Sequence, residues 1–190
     1  MKKYIQIRIH GRGGQGAVTA ANLIAKAAFY EGKFSQAFPN FGVERRGAPV
    51  EAFVRISSEP VRIQSQIYQP DFLIVQDPTL LKLVPDVLEG IKKSTVIFVN
   101  SEQANWPQLD LLKLYTIPVT DFARQIIGRD ITNTGMITAF ALITKLIQFE
   151  SLIKAIKDEF KYKPELISSN IKLMKQIQKY IIENKKIRLK

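Results

Sequence analysis

Apolar and polar positions change their period several times along the chain, and each change marks an element. Ile5, Ile7 and Ile9 alternate with Gln6 and Arg8, so residues 3–9 predict a strand with two different faces. The segment His10-Gly11-Arg12-Gly13-Gly14-Gln15-Gly16 breaks that alternation. An Ala-rich stretch over 17–31, with Leu23, Ile24, Ala27 and Ala28 recurring at helical spacing, then predicts a helix stopped by Gly32. Residues 38–49, Phe-Pro-Asn-Phe-Gly-Val-Glu-Arg-Arg-Gly-Ala-Pro, carry no period and are punctuated by prolines and glycines, the composition of an ordered loop. The strand pattern resumes over 50–56, and 60–65 is a candidate for a further short strand. Two continuous apolar runs, 72–75 and 96–99, have the character of strands buried on both faces, with a short helix over 80–89 between them. A third run at 114–118 leads into a helix over 121–127, for which Thr120 is the candidate N-cap.

Beyond Gly128 the pattern is helical. Residues 134–149 are apolar nearly all round, so that helix is expected to be buried, whereas 151–161 and 165–185 are amphipathic. In the last of them Ile167, Ile171, Met174, Ile177 and Ile181 form a stripe, with Lys172, Lys175, Lys179 and Lys185 mostly off it. No repeat, low-complexity run or long linker divides the chain. The expected fold is one α/β domain over 1–190: three layers, α/β/α, with a mixed, mainly parallel sheet and helices on both faces. Its C-terminal end, 150–190, is an amphipathic helical element of the same domain.

Composition narrows the chemistry. At 190 residues, 46% of them apolar, the chain closes a core without a covalent staple. With 0 Cys it has no disulfide framework, cysteine nucleophile, thiolate zinc site or cysteine-held iron–sulfur cluster. His10 is the single histidine, so a His-based triad or metal centre would rest on that residue alone. Asp71, Asp77, Asp86 and Asp110 are scattered without metal-ligand spacing, and no P-loop, nucleophile elbow or thiamine diphosphate motif occurs. No catalytic residue and no metal site are therefore assigned. The start of the chain lacks a run of about 18 apolar residues and any signal-peptide pattern, so a cytoplasmic setting without membrane contact is expected.

The net charge of +11 is unevenly placed: +5 over residues 1–60, −1 over 61–150 and +7 over 151–190. Such a balance fits polyphosphate ligands, nucleic acid or an acidic protein. Only Tyr162 and Tyr180 interleave with the C-terminal lysines, and no recognition motif accompanies them, so nucleic acid is not expected. The lysines read as the wet face of an amphipathic helix or as a docking surface for an acidic protein.

The strongest local signal is the glycine segment. Gly11, Gly13 and Gly16 match G-x-G-x-x-G after a strand and before a helix, where backbone N–H groups at a helix N-terminus face an anion. Gly14, Gln15 and the charge of Arg12 complete the candidate cradle. No acidic residue ends a second strand about 20 residues on, as a dinucleotide site requires, because Glu31 comes too early and Glu44 lies in the loop. A phosphate or pyrophosphate site of another kind and a tight, empty turn remain alongside the dinucleotide reading. In the loop, Phe38, Phe41, Glu44, Arg45 and Arg46 combine apolar anchors with bidentate cations, a mixture suited to clamping a partner or an anionic ligand. The alternative is Phe side chains in the core and Arg side chains in solvent. Asn133 and Thr134 open the buried helix, as a cap (with Thr132) or as ligand contacts.

These segments carry a family resemblance. Ile-Arg-Ile-His-Gly-Arg-Gly-Gly-Gln-Gly-Ala-Val-Thr-Ala-Ala over 7–21 and Gln-Ala-Phe-Pro-Asn-Phe-Gly-Val-Glu-Arg-Arg-Gly-Ala-Pro-Val over 36–50 are similar to the gamma subunits of 2-oxoacid:ferredoxin oxidoreductases. Asp77-Pro78-Thr79-Leu80-Leu81 and Asn133-Thr134 continue the match, which reaches about residue 162. The Val-Glu-Arg-Arg-Gly-Ala-Pro form resembles the pyruvate and branched-chain members more than the 2-oxoglutarate members. The resemblance implies a chain inactive alone, within a complex that converts pyruvate, coenzyme A and oxidised ferredoxin to acetyl-CoA, carbon dioxide and reduced ferredoxin. It implies thiamine diphosphate, with Mg2+, on the alpha and beta subunits, and iron–sulfur clusters on the beta and delta subunits. For this chain it implies a share in binding coenzyme A, at Gly11 to Gly16 with Asn133 and Thr134, and in assembly. A gamma subunit of the 2-oxoisovalerate or 2-oxoglutarate enzyme, and a free-standing dinucleotide-binding oxidoreductase, are the alternatives.

Overall fold

The computed structural model describes residues 4–40 and 47–184. Its strands are β1 (Ile5–Arg12), β2 (Phe34–Pro39), β3 (Pro49–Ser57), β4 (Phe72–Val75), β5 (Val96–Asn100) and β6 (Lys113–Ile117). They form one sheet in the order β2-β3-β1-β4-β5-β6. β3 runs antiparallel to both β1 and β2, while β1, β4, β5 and β6 are mutually parallel. The sheet is thus mixed and mainly parallel, as the continuous apolar runs predict. The helices are α1 (Ala17–Tyr30), α2 (Leu80–Leu83), α3 (Val119–Ile127), α4 (Asn133–Thr144), α5 (Phe149–Glu159) and α6 (Pro164–Glu183).

The strand period sorts side chains onto two faces. Ile7, Ile9, Ala52, Val54, Ile74 and Phe98 enter the main core with α1, α4, α5 and α6. Phe140 of α4 sets its ring edge-on to Phe72 and Phe98, with centroids 5.3 and 5.6 Å apart. Leu73, Val75, Ile97 and Val99 point the other way, into a smaller core with Leu80, Val87, Trp106 and Leu109. Helical structure on that side is thin: α2 and the 3-10 turns Pro85–Leu88 and Pro107–Leu109.

The rest of the thin face is covered by irregular chain. The expected short strand at 60–65 does not form: no helix or strand occurs between β3 and β4. Carbonyls of this segment are taken up by two buried arginines. Arg55 donates to the carbonyls of Ile63 (3.3 Å), Ser65 (2.6 Å) and Gln66 (3.3 Å). Arg8 donates to those of Ile67 (3.4 Å), Val87 (2.9 Å) and Glu89 (2.7 Å). Guanidinium groups thus satisfy backbone acceptors that a sheet neighbour would otherwise have to meet.

Other boundaries move for local reasons. β1 runs on through Gly11 and Arg12, because β3 pairs with it as far as Pro49. β2, unread in the sequence, takes Phe38 and Pro39 from the expected loop; it is an edge strand with no fully buried residue and hence no apolar alternation. The helix expected over 80–89 splits at Val84, which is extended ahead of Pro85. The helix expected over 134–149 ends at Thr144, where Lys145 turns left-handed (φ 56°). α1 closes as predicted on Gly32, with Gly32 N–H to the Phe29 carbonyl and Lys33 N–H to the Ala28 carbonyl.

Candidate functional site

The chain leaves β1 toward β2 and β3 on one side, whereas β4 lies on the other. The carboxyl ends of β1 and β4 therefore flank a switch point, the crevice where α/β sheets receive ligands. The glycine turn occupies it. Gly14 (φ 96°) and Gly16 (φ 77°) adopt left-handed conformations that disfavour a side chain. Gly13 N–H donates to the Ala48 carbonyl (2.9 Å) and Gly47 N–H to the Gly13 carbonyl (3.1 Å), so the turn is sewn to the start of β3. A cleft of about 250 Å3 opens over Arg12, Gly13, Gly14, Gly16 and Val18. Among the described residues no side chain caps α1, and its first N–H groups, from Ala17 to Thr19, lack intrahelical acceptors. They line the cleft as donors for an anion.

A second helix N-terminus meets the first. A Cβ on Gly16 would stand 2.5 Å from Asn133 Nδ2, so only glycine lets the start of α4 approach so closely. Gly135 packs as tightly on Val119, where any Cβ would overlap the valine methyl, and brings α4 down onto the start of α3. Asn133 turns its Oδ1 inward to accept the Thr134 N–H (2.8 Å), leaving Nδ2 beside the glycine turn. Thr134 is fully buried, and its hydroxyl lies 3.5 Å from Asn133 Oδ1. Asn133 is therefore brought against the glycine turn, whereas Thr134, among the described residues, bonds only within α4, to Asn133 and Thr138. Neither Asn133 nor Thr132 caps α4 through a side-chain bond.

Arg12 is more engaged than its sequence position implies. Its Nε donates to Asp77 Oδ2 (2.9 Å), Nη1 to the Gly47 carbonyl (3.0 Å) and Nη2 to Thr79 Oγ1 (2.8 Å). Gln15 Nε2 donates to the same Asp77 oxygen (3.2 Å), while Gln15 Oε1 accepts the Arg12 N–H (2.8 Å). Asp77 Oδ1 accepts both the N–H (3.0 Å) and the hydroxyl (2.6 Å) of Thr79. Burial works to raise the Asp77 carboxyl, but the Thr79 bonds, the Arg12 charge and the Gln15 amide outweigh it and hold it below the usual carboxylate range. The charge of Arg12 is therefore largely compensated, and the donors left for a ligand are chiefly main-chain N–H groups.

Asn100, at the end of β5, ties the residue after β4 to the start of α3. Its Nδ2 donates to the Gln76 carbonyl and to Thr120 Oγ1, both at 2.8 Å, and its Oδ1 accepts the Thr120 N–H (3.1 Å). Thr120 is thus not the N-cap of α3, which starts at Val119, two residues before the expected start at 121, with Pro118 in the cap position. Beyond the Asp77-Pro78-Thr79 segment, the sequence carries no signal for Asp77, Thr79, Asn100, Thr120 and Gln76 at this end of the sheet, because each lies past an apolar run whose end marks a cleft only once the strands are aligned. The Asp-Pro-Thr turn after β4 was the one local signal.

His10 faces the thin side, where burial and then the Arg8 charge push it down to about 3. It is neutral at ordinary pH, so its 3.5 Å approach to Glu51 Oε1 is no ion pair. Phe38 packs on Phe53 (centroids 5.1 Å apart) and beneath the Arg55 guanidinium. Phe41, Glu44, Arg45 and Arg46 lie outside the described residues. Among the described residues no group of acidic or histidine side chains is placed to hold a metal, and no helix is long and apolar enough to cross a membrane. A larger cavity of about 410 Å3 is lined by Tyr115, Leu142, Ile143 and Ile181 together with the polar side chains of Lys145 and Gln178, away from the crevice.

Comparison with known proteins identifies the family of this fold. The family model described as pyruvate ferredoxin/flavodoxin oxidoreductase matches residues 6–180. The chain is 55% identical over 160 residues to pyruvate synthase subunit PorC of Methanocaldococcus jannaschii, covering 84% of this chain and 88% of that one. It is 52% identical over 161 residues to the common gamma subunit of the pyruvate/ketoisovalerate oxidoreductases of Pyrococcus furiosus, covering 82% and 86%. The crystal structure of pyruvate oxidoreductase subunit PORC from Thermotoga maritima superposes with a TM-score of 0.78 at 34% identity, over 93% of this chain and 96% of that one. The sequence motifs, the strand order and these matches together show that the chain belongs to the pyruvate ferredoxin/flavodoxin oxidoreductase family, as a chain of its gamma-subunit type.

Proposed function

We propose that this chain is the gamma subunit of a multi-subunit, cytoplasmic pyruvate:ferredoxin oxidoreductase and that its own share of the work is to hold the phosphate end of coenzyme A. The complex converts pyruvate, coenzyme A and oxidised ferredoxin to acetyl-CoA, carbon dioxide and reduced ferredoxin. The iron–sulfur clusters belong to the beta and delta partners, since thiolate-held clusters need cysteines and this chain has 0, and the family resemblance implies thiamine diphosphate and Mg2+ on alpha and beta. The observation that carries the reading is the meeting of two helix N-termini at a left-handed glycine, Gly16, over a cleft lined by residues at the start of α1 whose N–H groups lack intrahelical acceptors. Fixed dipoles of this kind accept a phosphate with little reorganisation. Immobilising that end holds the thiol of the carrier near the thiamine site of a neighbouring subunit and raises its effective concentration. Arg12, tied to Asp77, shapes the turn and keeps its remaining N–H donors at the cleft.

A second reading has specific support. A relative 52% identical is named as common to pyruvate and ketoisovalerate oxidoreductases, which favours one gamma chain serving both enzymes. Reassembled complex carrying Gly16→Ala tests the site. The added methyl meets Asn133 in a left-handed backbone, so KM for coenzyme A should rise about tenfold with KM for pyruvate unchanged, a loss of about 1.4 kcal/mol in binding. An unchanged KM for coenzyme A would remove the turn from the site. Assay of the same preparation with 2-oxoisovalerate and a second set of alpha and beta subunits decides whether the chain is shared.

A further inference from the structure

Gln76, the residue that follows β4, is fully buried, yet neither its Nε2 nor its Oε1 has a hydrogen-bond partner among the described residues. Its main chain is well placed: the N–H donates to the His10 carbonyl (2.8 Å), and the carbonyl accepts Asn100 Nδ2. The fault lies wholly in the carboxamide. A buried amide with every bond unmade is disfavoured, and an apolar side chain of the same size would serve packing better. Such breaches of local consistency concentrate at functional sites. The amide lies against the anion cradle: a Cβ on Gly11 would stand 2.6 Å from Gln76 Oε1, with Gln15 Oε1 and the Ala17 methyl each 3.4 Å from the same point. Gln76 thus sits directly beneath the turn, between the first glycine and the start of α1. On the other flank the Asn133 amide nitrogen meets Gly16.

We propose that Gln76 is a positioning residue for the anion site. Its carboxamide sets the form the turn adopts over a bound phosphate, and its own hydrogen bonds to the turn are completed only when the phosphate is in place. Binding then recovers bonds that the empty state forgoes, which favours the filled conformation of the turn. The inference rests on the coenzyme A reading above.

The test uses Gln76→Met, which keeps the volume and removes both polar atoms. In reassembled complex KM for coenzyme A should rise about tenfold with kcat within about twofold, while thermal unfolding of the purified chain should shift upward by a few degrees, since an unpaired amide has left the interior. Weaker binding in a more stable protein is a combination that a packing role does not produce. An unchanged KM overturns the proposal, and so does a raised KM accompanied by a lower Tm. Gly16→Ala separates the two levels. If it raises KM and Gln76→Met does not, the cradle stands and the role of Gln76 falls; if neither does, the coenzyme A site itself falls. Should Gln76→Met fail to assemble, a crystal structure of the wild-type complex with coenzyme A decides. A Gln76 amide bonded to the turn supports the proposal, and an amide still unpaired refutes it.

Discussion

Replacing Asp77 by asparagine isolates the contact that shapes the glycine turn. The substitution preserves volume and keeps Oδ1 for Thr79, but it turns an amide nitrogen toward Arg12 Nε and Gln15 Nε2, which now donate to Oδ2 at 2.9 and 3.2 Å. Two bonds are lost and donors face donors. Hydrogen bonds to a charged group contribute about 1.5–3 kcal/mol, and breaking a fully buried ion pair costs about 3–5 kcal/mol. The Arg12 side chain is 28% exposed and that of Asp77 14%, so solvent screens part of this. A loss of about 2 kcal/mol follows, or a fall in Tm of about 4–8 °C for a domain of this size. Because the folded state holds the Asp77 carboxyl below its ordinary range, its stabilisation is fully present at neutral pH. It is lost as the pH falls through the carboxylate range and past the lowered folded value. Thermal unfolding of both proteins from pH 7 to pH 3 should show a gap that closes on acidification. Equal Tm values at pH 7, or a gap independent of pH, would refute the reasoning.

Two further outcomes follow from the thin face. Arg8→Met leaves the carbonyls of Ile67, Val87 and Glu89 without their donor, so unfolding should become easier by about 2–4 kcal/mol. Amide exchange should quicken first in 58–71, and equal exchange there in the two proteins would contradict it. His10 is the single histidine of the chain, so its imidazole resonances are unambiguous by NMR. They should stay those of a neutral ring down to about pH 3. The unfolded chain protonates near the ordinary value of 6.5, so His10 draws stability downward as the pH falls below that value, by about 1.4 kcal/mol per unit until the folded value is reached. A midpoint near 6.5 in the folded protein would show that the ring is open to solvent.

The hydrophobic pattern of the chain determined its architecture. Continuous apolar runs at 72–75 and 96–99 can only be buried on both sides, which forces parallel strands between helical layers; the glycine segment between an alternating strand and an Ala-rich helix marks a tight strand-to-helix turn. Such features depend on residues close in sequence. Edge strand β2 carries no apolar alternation because its residues are all partly exposed, and the strand expected at 60–65 does not form because the carbonyls of Ile63, Ser65, Gln66 and Ile67 accept from Arg55 and Arg8 rather than from a sheet neighbour.

Only the tertiary structure decided what surrounds the turn. Asp77 lies 65 residues from Arg12 in the chain, and Asn133 more than 100 from Gly16, yet the first neutralises the arginine and the second requires the glycine. Sequence spacing holds no record of such pairings, since they arise when strand ends line up at a switch point and α4 settles, through Gly135, on Val119 of α3. The local code therefore placed a polarised backbone at residues 11–16, and long-range packing determined which side chains shape it and which charges remain for a ligand.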